Sequence, residues 1–314
     1  LILDNIFIIY INILIKFNNN WIITMPEGPE VTIITQGLNK ELSGSALLTL
    51  TFNEKSRYFK KAPNGYTIFQ KHIENLNQNN KQLTILSVEN KGKFIYWKFS
   101  DDFIMFQTLG MSGGWYRKPK LHSGVIIEYQ EFKTNKIKKL YFDDQRHFAT
   151  LKFLQGNDGN KELIKKLKSI GPDMLNDNSF HKDDFVKLFQ KNKYNNKIIA
   201  NAIMDQKIIS GIGNYLRSES LYRAKINPHK EIGSLQKKDL ENLYDAIKYK
   251  IIGSYNVGGA SIRHYSDIEN KKGTFEFKME IYGKKLTPDK KQIIAEKIGK
   301  DTQTTYWCPD VQIN

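Results

Sequence analysis

Residues Met25-Pro26-Glu27-Gly28-Pro29-Glu30 concentrate the chain's most reactive chemistry. If Met25 is removed, Pro26 becomes the first residue and its ring nitrogen a secondary amine. An α-amino group titrates at about 7.7–8.0, so much of it is an unprotonated nucleophile at neutral pH. Attack by such an amine on a carbon of aldehyde character gives an iminium ion, an electron sink that permits elimination. Glu27 and Glu30 lie three residues apart. With a helix starting here, both carboxylates reach back to its amino end, where they can transfer protons. A structural role fits these six residues equally well. Pro26 and Pro29 suit a helix start, and the glutamates suit its dipole.

A second constellation lies about 185 residues downstream, in Gly211-Ile212-Gly213-Asn214-Tyr215-Leu216-Arg217-Ser218-Glu219-Ser220-Leu221-Tyr222. It reads as a tight glycine turn opening a helix whose apolar face includes Ile212, Tyr215, Tyr222 and Ile226. Free main-chain N–H groups at that helix start, with the Asn214 side chain, make an anion site. The plainer alternative is a glycine turn with Asn214 as N-cap. Taken alone, Lys91, Lys93 and Lys98 are exposed strand lysines, and Met111 and Phe148 are core.

Together the two constellations resemble the Fpg/Nei DNA glycosylases. Met25 to Glu30 matches that family's N-terminal signature, with Gly28, as in Nei-like members, where Fpg-type members usually carry Leu. Residues 211–222 are similar to its helix–two-turn–helix segment, above all that of vertebrate Nei-like enzymes. The resemblance implies Pro26 as nucleophile, Glu27 and Glu30 as its carboxylate partners, and Lys93 as the strand lysine holding the phosphate beside the damaged nucleotide. It implies Asn214 and Gly213 as DNA-binding residues. Leu109-Gly110-Met111-Ser112-Gly113 matches the loop whose Met fills the gap left by a flipped base. Asp144-Gln145-Arg146-His147-Phe148 matches the loop supplying an Arg to the orphaned base and a Phe wedge. An apolar wedge beside an Arg is what extrusion of a base from the stack requires.

One departure is informative. Family members commonly end in a four-Cys zinc finger, yet this chain has one cysteine, Cys308, and its six histidines are scattered. One thiolate cannot hold a structural zinc. The end therefore resembles the zincless finger of some Nei-like enzymes, and no metal or cofactor is expected. The family's finger arginine also has no counterpart, since no Arg follows Arg263; Gln303 occupies roughly that position, with Lys300 nearby.

The elements that must position these residues show in the patterning. Val31, Ile34 and Leu38 recur at helical spacing, with Gly44 as a stop. Residues 49–56, 82–90, 91–99, 102–111, 124–132, 138–144 and 149–153 are short β-branched and aromatic runs between turn residues, predicting an antiparallel sandwich. Residues 154–160 read as a linker. Helices are predicted at 162–170, 183–191, 196–205 and 239–252, the last with Leu240, Leu243, Ile247 and Ile251 as a core-facing stripe. Residues 274–283, 292–299 and 302–308 alternate like strands. There is no internal repeat. The expected fold is α+β. An extension spans 1–24, a catalytic β-sandwich domain with an N-terminal helix 25–155, a helix–two-turn–helix domain 156–270, and a terminal β-hairpin finger 271–314.

Composition sets the outer bounds. The chain has 314 residues, 40% hydrophobic and 12% aromatic, which excludes a disordered chain. Its formal charge of +15 suits a polyanionic partner. With 42 Lys against six Arg, however, the charge also fits AT-rich coding bias and weakly supports nucleic-acid binding by itself. The first 24 residues read as an uncleaved anchor, a disposable presequence or untranslated upstream sequence. Their apolar run, 6–17, is interrupted by Asn12 and Lys16 and falls short of the roughly 18 residues a membrane span needs. Initiation at Met25 is expected.

The predicted function is a bifunctional DNA glycosylase/AP lyase of base excision repair. Its partner is double- or single-stranded DNA carrying oxidised bases, pyrimidines above all, or abasic sites. It would act intracellularly at DNA, as a monomer and away from membranes. The alternative is a non-catalytic damaged-DNA-binding protein of the same fold, with Pro26 blocked by the extension.

Overall fold

The computed structural model describes residues 26–259, 279–299 and 303–313. The 1–24 extension, Met25 and Lys300 lie outside the described residues.

Helix α1 (Gly28–Leu42) starts immediately after Pro26 and Glu27. Pro29 presets its first turn, and the Glu30 carboxylate reaches back to accept from the Glu27 N–H at 2.9 Å, as capping requires. Val31, Ile34, Leu38 and Leu42 form its buried stripe, and Gly44, at φ +82°, turns the chain out. Eight strands follow: β1 (Ala46–Phe52), β2 (Leu83–Lys91), β3 (Phe94–Phe99), β4 (Phe103–Thr108), β5 (Gly114–Tyr116), β6 (Ser123–Gln130), β7 (Ile137–Asp143) and β8 (Thr150–Gln155). They run antiparallel in the order β5-β7-β6-β1-β2-β3-β4-β8. The β1–β2 pairing is confined to Ala46–Thr84 and Leu47–Leu83. Either side of that short joint the ladder forms two layers, an antiparallel sandwich. Leu50, Ile127, Tyr129 and Phe142 from one layer share a core with Ile85, Trp97, Phe103 and Phe153 from the other.

Two helices interrupt the predicted run of strands. The short α2 (Arg57–Lys60) and α3 (Tyr66–Gln78) follow β1, and α3 buries Tyr66, Phe69 and Ile73 against the sandwich core. Residues 154–160 are not a linker: α4 (Gly156–Ser169) begins inside them. Its Leu163 packs with Phe94, Tyr96, Ile104 and Phe106, so β3 and β4 are covered on both faces.

The helical part contains α5 (Lys182–Phe189), α6 (Ile199–Ala202), α7 (Asn214–Arg223) and α8 (Lys237–Asn256). The helix expected over 196–205 shrinks to α6 because the Ile199 and Ala200 N–H groups bond instead to the carbonyls of Lys230 and Pro228. The stripe on α8 is buried as expected. Among the described residues no helix is long and apolar enough to cross a membrane.

Two strands, β9 (Ile294–Lys297) and β10 (Thr304–Trp307), pair antiparallel as the terminal hairpin. Of the strand expected over 274–283, residues 274–278 lie outside the described set and 279–283 form a turn. Burial explains that turn. Glu219, on α7 and fully buried, accepts the main-chain N–H groups of Glu280, Ile281 and Tyr282 at 2.9–3.0 Å and the Lys250 ammonium at 2.7 Å. An anion saturated in this way fixes the path of the backbone leading into the hairpin.

Candidate active site

The start of α1 docks onto the glycine turn before α7. Gly28 donates its N–H to the Gly211 carbonyl at 2.7 Å. A β-carbon on Gly28 would fall 2.9 Å from both the Cα and the carbonyl oxygen of Gly211, so the bare glycine permits this approach.

The Glu27 carboxylate continues the joint. Oε2 accepts from the N–H groups of Gly213 (2.7 Å) and Leu216 (3.2 Å), and Oε1 from that of Tyr215 (2.8 Å). The helix-start amides, expected to be free for an external anion, are therefore occupied by the protein's own carboxylate. Lys93 completes the cluster. A β-carbon on Gly213 would lie 2.4 Å from the Glu27 carboxyl carbon and 2.5 Å from Lys93 Nζ, so acid and base flank one Cα.

Glu30 lies one helical turn further along. Tyr215 donates its hydroxyl to Glu30 (3.0 Å to Oε1, 3.3 Å to Oε2), and the hydroxyls of Tyr215 and Ser254 bond at 2.9 Å. Tyr215 thus grips both carboxylates, Glu27 through its amide and Glu30 through its hydroxyl.

Burial dominates the electrostatics. It pushes Glu27 up to about 7, Glu30's charge adds to the rise, and Lys93 and the amides of Tyr215 and Gly213 pull against it. Burial also lowers Lys93, opposed by Glu27 and Glu30 and assisted by Arg217. A carboxyl poised near neutrality can both give and take a proton at working pH.

Residues with no signal of their own hold this cluster. Asp173, buried, accepts the Gly92 N–H at 2.7 Å and those of Leu175 and Asn176 at 2.9 and 3.1 Å. It clasps the β2–β3 turn that presents Lys93. Asn176 and Asn90 meet on the Thr32 hydroxyl of α1. Sequence reasoning missed Tyr215's polar role, Ser254, Asp173 and Glu219.

The other expected residues fall into separate groups. Asn214 donates to the Thr304 carbonyl at 3.0 Å, and its side-chain oxygen accepts from Arg217. The Gln303 carbonyl accepts from Arg217 at 3.4 Å. Asn214 and Gln303 thus join the turn end of the hairpin to α7. Met111 and Arg146 touch through Sδ and Nη1 at 3.6 Å. Phe148 is 60% exposed, not core as its isolated reading had it.

Two family models match in sequence. The formamidopyrimidine-DNA glycosylase N-terminal domain covers residues 25–151, and the formamidopyrimidine-DNA glycosylase H2TH domain covers 170–266. The chain belongs to the Fpg/Nei family. This family member is 29% identical over 297 residues to the formamidopyrimidine-DNA glycosylase of Cytobacillus firmus, covering 92% of this chain and all of that one. It is 28% identical over 300 residues to that of Ligilactobacillus salivarius, covering 92% and 99%. Among solved structures it shares the fold of Lactococcus lactis Fpg. A mutant of that protein crystallised with Fapy-dG-containing DNA superposes with a TM-score of 0.75 at 24% identity, covering 92% of this chain and all of the other. The wild type with DNA containing an oxidised pyrimidine gives 0.73 at 22%.

Within the family's fold, Cys308 of this member sits fully buried in the finger. Its N–H donates to Gln312 Oε1 at 2.8 Å, and Gln312 Nε2 donates to the Ile226 carbonyl just past α7, also at 2.8 Å. Among the described residues no group of three or more His, Cys, Asp or Glu side chains is arranged to hold a metal ion. Elemental analysis of the purified protein is expected to find no stoichiometric zinc, and a 1:1 content would overturn the zincless reading.

Proposed function

We propose that the chain is a bifunctional DNA glycosylase and AP lyase of base excision repair. Residues 25–155 would act as catalytic domain, 156–270 as helix–two-turn–helix domain and 271–314 as zincless finger. The observation that carries this reading is the buried Glu27, held against Lys93 and lifted to about 7 in the residue after Pro26. Perturbed carboxyls of this kind cluster at sites of proton transfer, which favours an enzyme over a module that only binds DNA.

Lys93, Asn214 and the finger residues Lys300 and Gln303 bind backbone phosphates, positioning DNA without reading its sequence, while the Gly213 N–H stays on Glu27. The lesion leaves the stack, and Met111, Arg146 and Phe148 take its place. The Pro26 nitrogen attacks the sugar C1′. Glu27 delivers a proton to the ring oxygen as the C1′–O4′ bond opens, the base departs with the glycosidic electron pair and takes up the proton lost from the Pro26 nitrogen, and an iminium joins Pro26 to C1′. Loss of a C2′ proton then expels the 3′ phosphate, and a second elimination expels the 5′ phosphate, leaving a one-nucleotide gap. Glu30 supports Glu27 through its position and charge.

Gly28 and the zincless finger, as in Nei-like members, favour oxidised pyrimidines. The test uses duplexes with one 5-hydroxyuracil or one 8-oxoguanine. Free base and a gap with phosphates at both ends are expected, with the pyrimidine excised at least about tenfold faster. The reverse order would overturn the pyrimidine preference, and release of neither base would overturn the activity.

A further inference from the structure

Two loops meet at a half-buried clamp that base chemistry itself does not use. Residues 109–113 leave β4 and 144–149 lead into β8, and Ser112 and Asp144 are the joint between them. The Ser112 hydroxyl donates to Asp144 Oδ1 at 2.9 Å and accepts the Arg146 N–H at 3.0 Å. Asp144 Oδ2 accepts the Ala149 N–H at 2.8 Å, and its own carbonyl accepts from the His147 N–H at 3.2 Å. Asp144 is 5% exposed and Ala149 fully buried, whereas Gln145 to Phe148 are all exposed.

The backbone is correspondingly tight. Gly110 lies at φ +64°, and a β-carbon there would come within 2.6 Å of Ala149 N and the Phe148 carbonyl carbon. His147 holds φ +56° without being glycine, a conformation that needs surrounding bonds to sustain it. The Ala149 carbonyl is held in turn by the Tyr58 hydroxyl at 2.6 Å and by Arg57. An exposed tip thus stands on a fully bonded base.

We propose that Ser112 and Asp144 are positioning residues for base extrusion, latching the two loops so that Met111, Arg146 and Phe148 enter the stack as one preformed wedge. Ordering the wedge before DNA arrives removes that entropic cost from the extrusion step. The inference rests on the reading of the chain as a base-excising enzyme. It adds the prediction that the latch serves duplex substrates selectively, because a single strand has no complementary base left orphaned by extrusion.

The test compares Ser112→Ala, Ser112→Thr and Asp144→Asn with the unsubstituted protein on one lesion, in duplex and single-stranded oligonucleotides, under single-turnover conditions. Stopped-flow fluorescence of 2-aminopurine beside the lesion reads extrusion directly. For Ser112→Ala and Asp144→Asn, the rate loss on duplex is expected to exceed the loss on single strand by at least about tenfold, with a slower fluorescence rise. Ser112→Thr, which keeps the hydroxyl, restores both. Equal losses on the two substrates, or an unchanged fluorescence rise, would overturn the latch while leaving the proposed activity standing. An unsubstituted protein that excised from neither substrate would remove both.

Discussion

Protein whose first residue is Pro26 is expected to become covalently joined to lesion-bearing DNA when borohydride is present, and protein retaining residues 1–25 is not. The reason is electronic. With a residue ahead of it, the Pro26 nitrogen is a tertiary amide whose lone pair is delocalised into the carbonyl. Freed, it is a secondary amine that titrates near neutrality and forms an iminium that borohydride reduces. The difference is all or nothing, since an acylated nitrogen retains no nucleophilic fraction. The readout is a slower-migrating band on a denaturing gel, with N-terminal mass analysis of both preparations. Equal trapping by the two forms would remove Pro26 from the mechanism and point to a lysine.

The second large effect is expected at Glu27. Glu27→Gln keeps volume and one carbonyl acceptor toward the Gly213, Tyr215 and Leu216 amides but cannot donate a carboxyl proton. Base excision should fall by about 10²–10⁴-fold, the usual worth of a positioned proton donor, while lesion binding persists. The pH dependence has a definite sign. Burial, with Glu30's charge, raises Glu27 to about 7, so its protonated fraction is full in mild acid and falls as pH rises through 7. Single-turnover excision by the unsubstituted protein should therefore decline on the alkaline side of 7. The residual activity of Glu27→Gln should lack that limb. Undiminished excision by the variant would exclude Glu27 as the acid.

What the sequence disclosed about this architecture follows from where the physics is local. Helix α1, the alternating strands, the α8 stripe and the terminal hairpin all carry their period in neighbouring residues. Helix α3 carried it too, in Tyr66, Phe69 and Ile73, but its aromatic and β-branched content masked the helical spacing among strands. The run Arg217-Ser218-Glu219-Ser220 carries no local sign of its burial. All four residues are polar and all four are fully buried, because α7 is enclosed by α8 and the finger, with Glu219 neutralised by Lys250. The site behaved similarly. Pro26, Glu27 and Glu30 were visible from their chemistry, and the helix start at Gly213 from its glycines. That the carboxylate would fill the helix start was not, since 186 residues separate donor from acceptor.

That separation also sets an order of events. Glu27 emerges early in translation, whereas the amides that fix it at Gly213, Tyr215 and Leu216 are made only after most of the chain. Until they dock, an exposed Glu27 has no cause to hold a proton near neutrality. A half-made chain therefore carries the amine's sequence without its acid, and gains that acid only when Glu27 reaches the turn at Gly213.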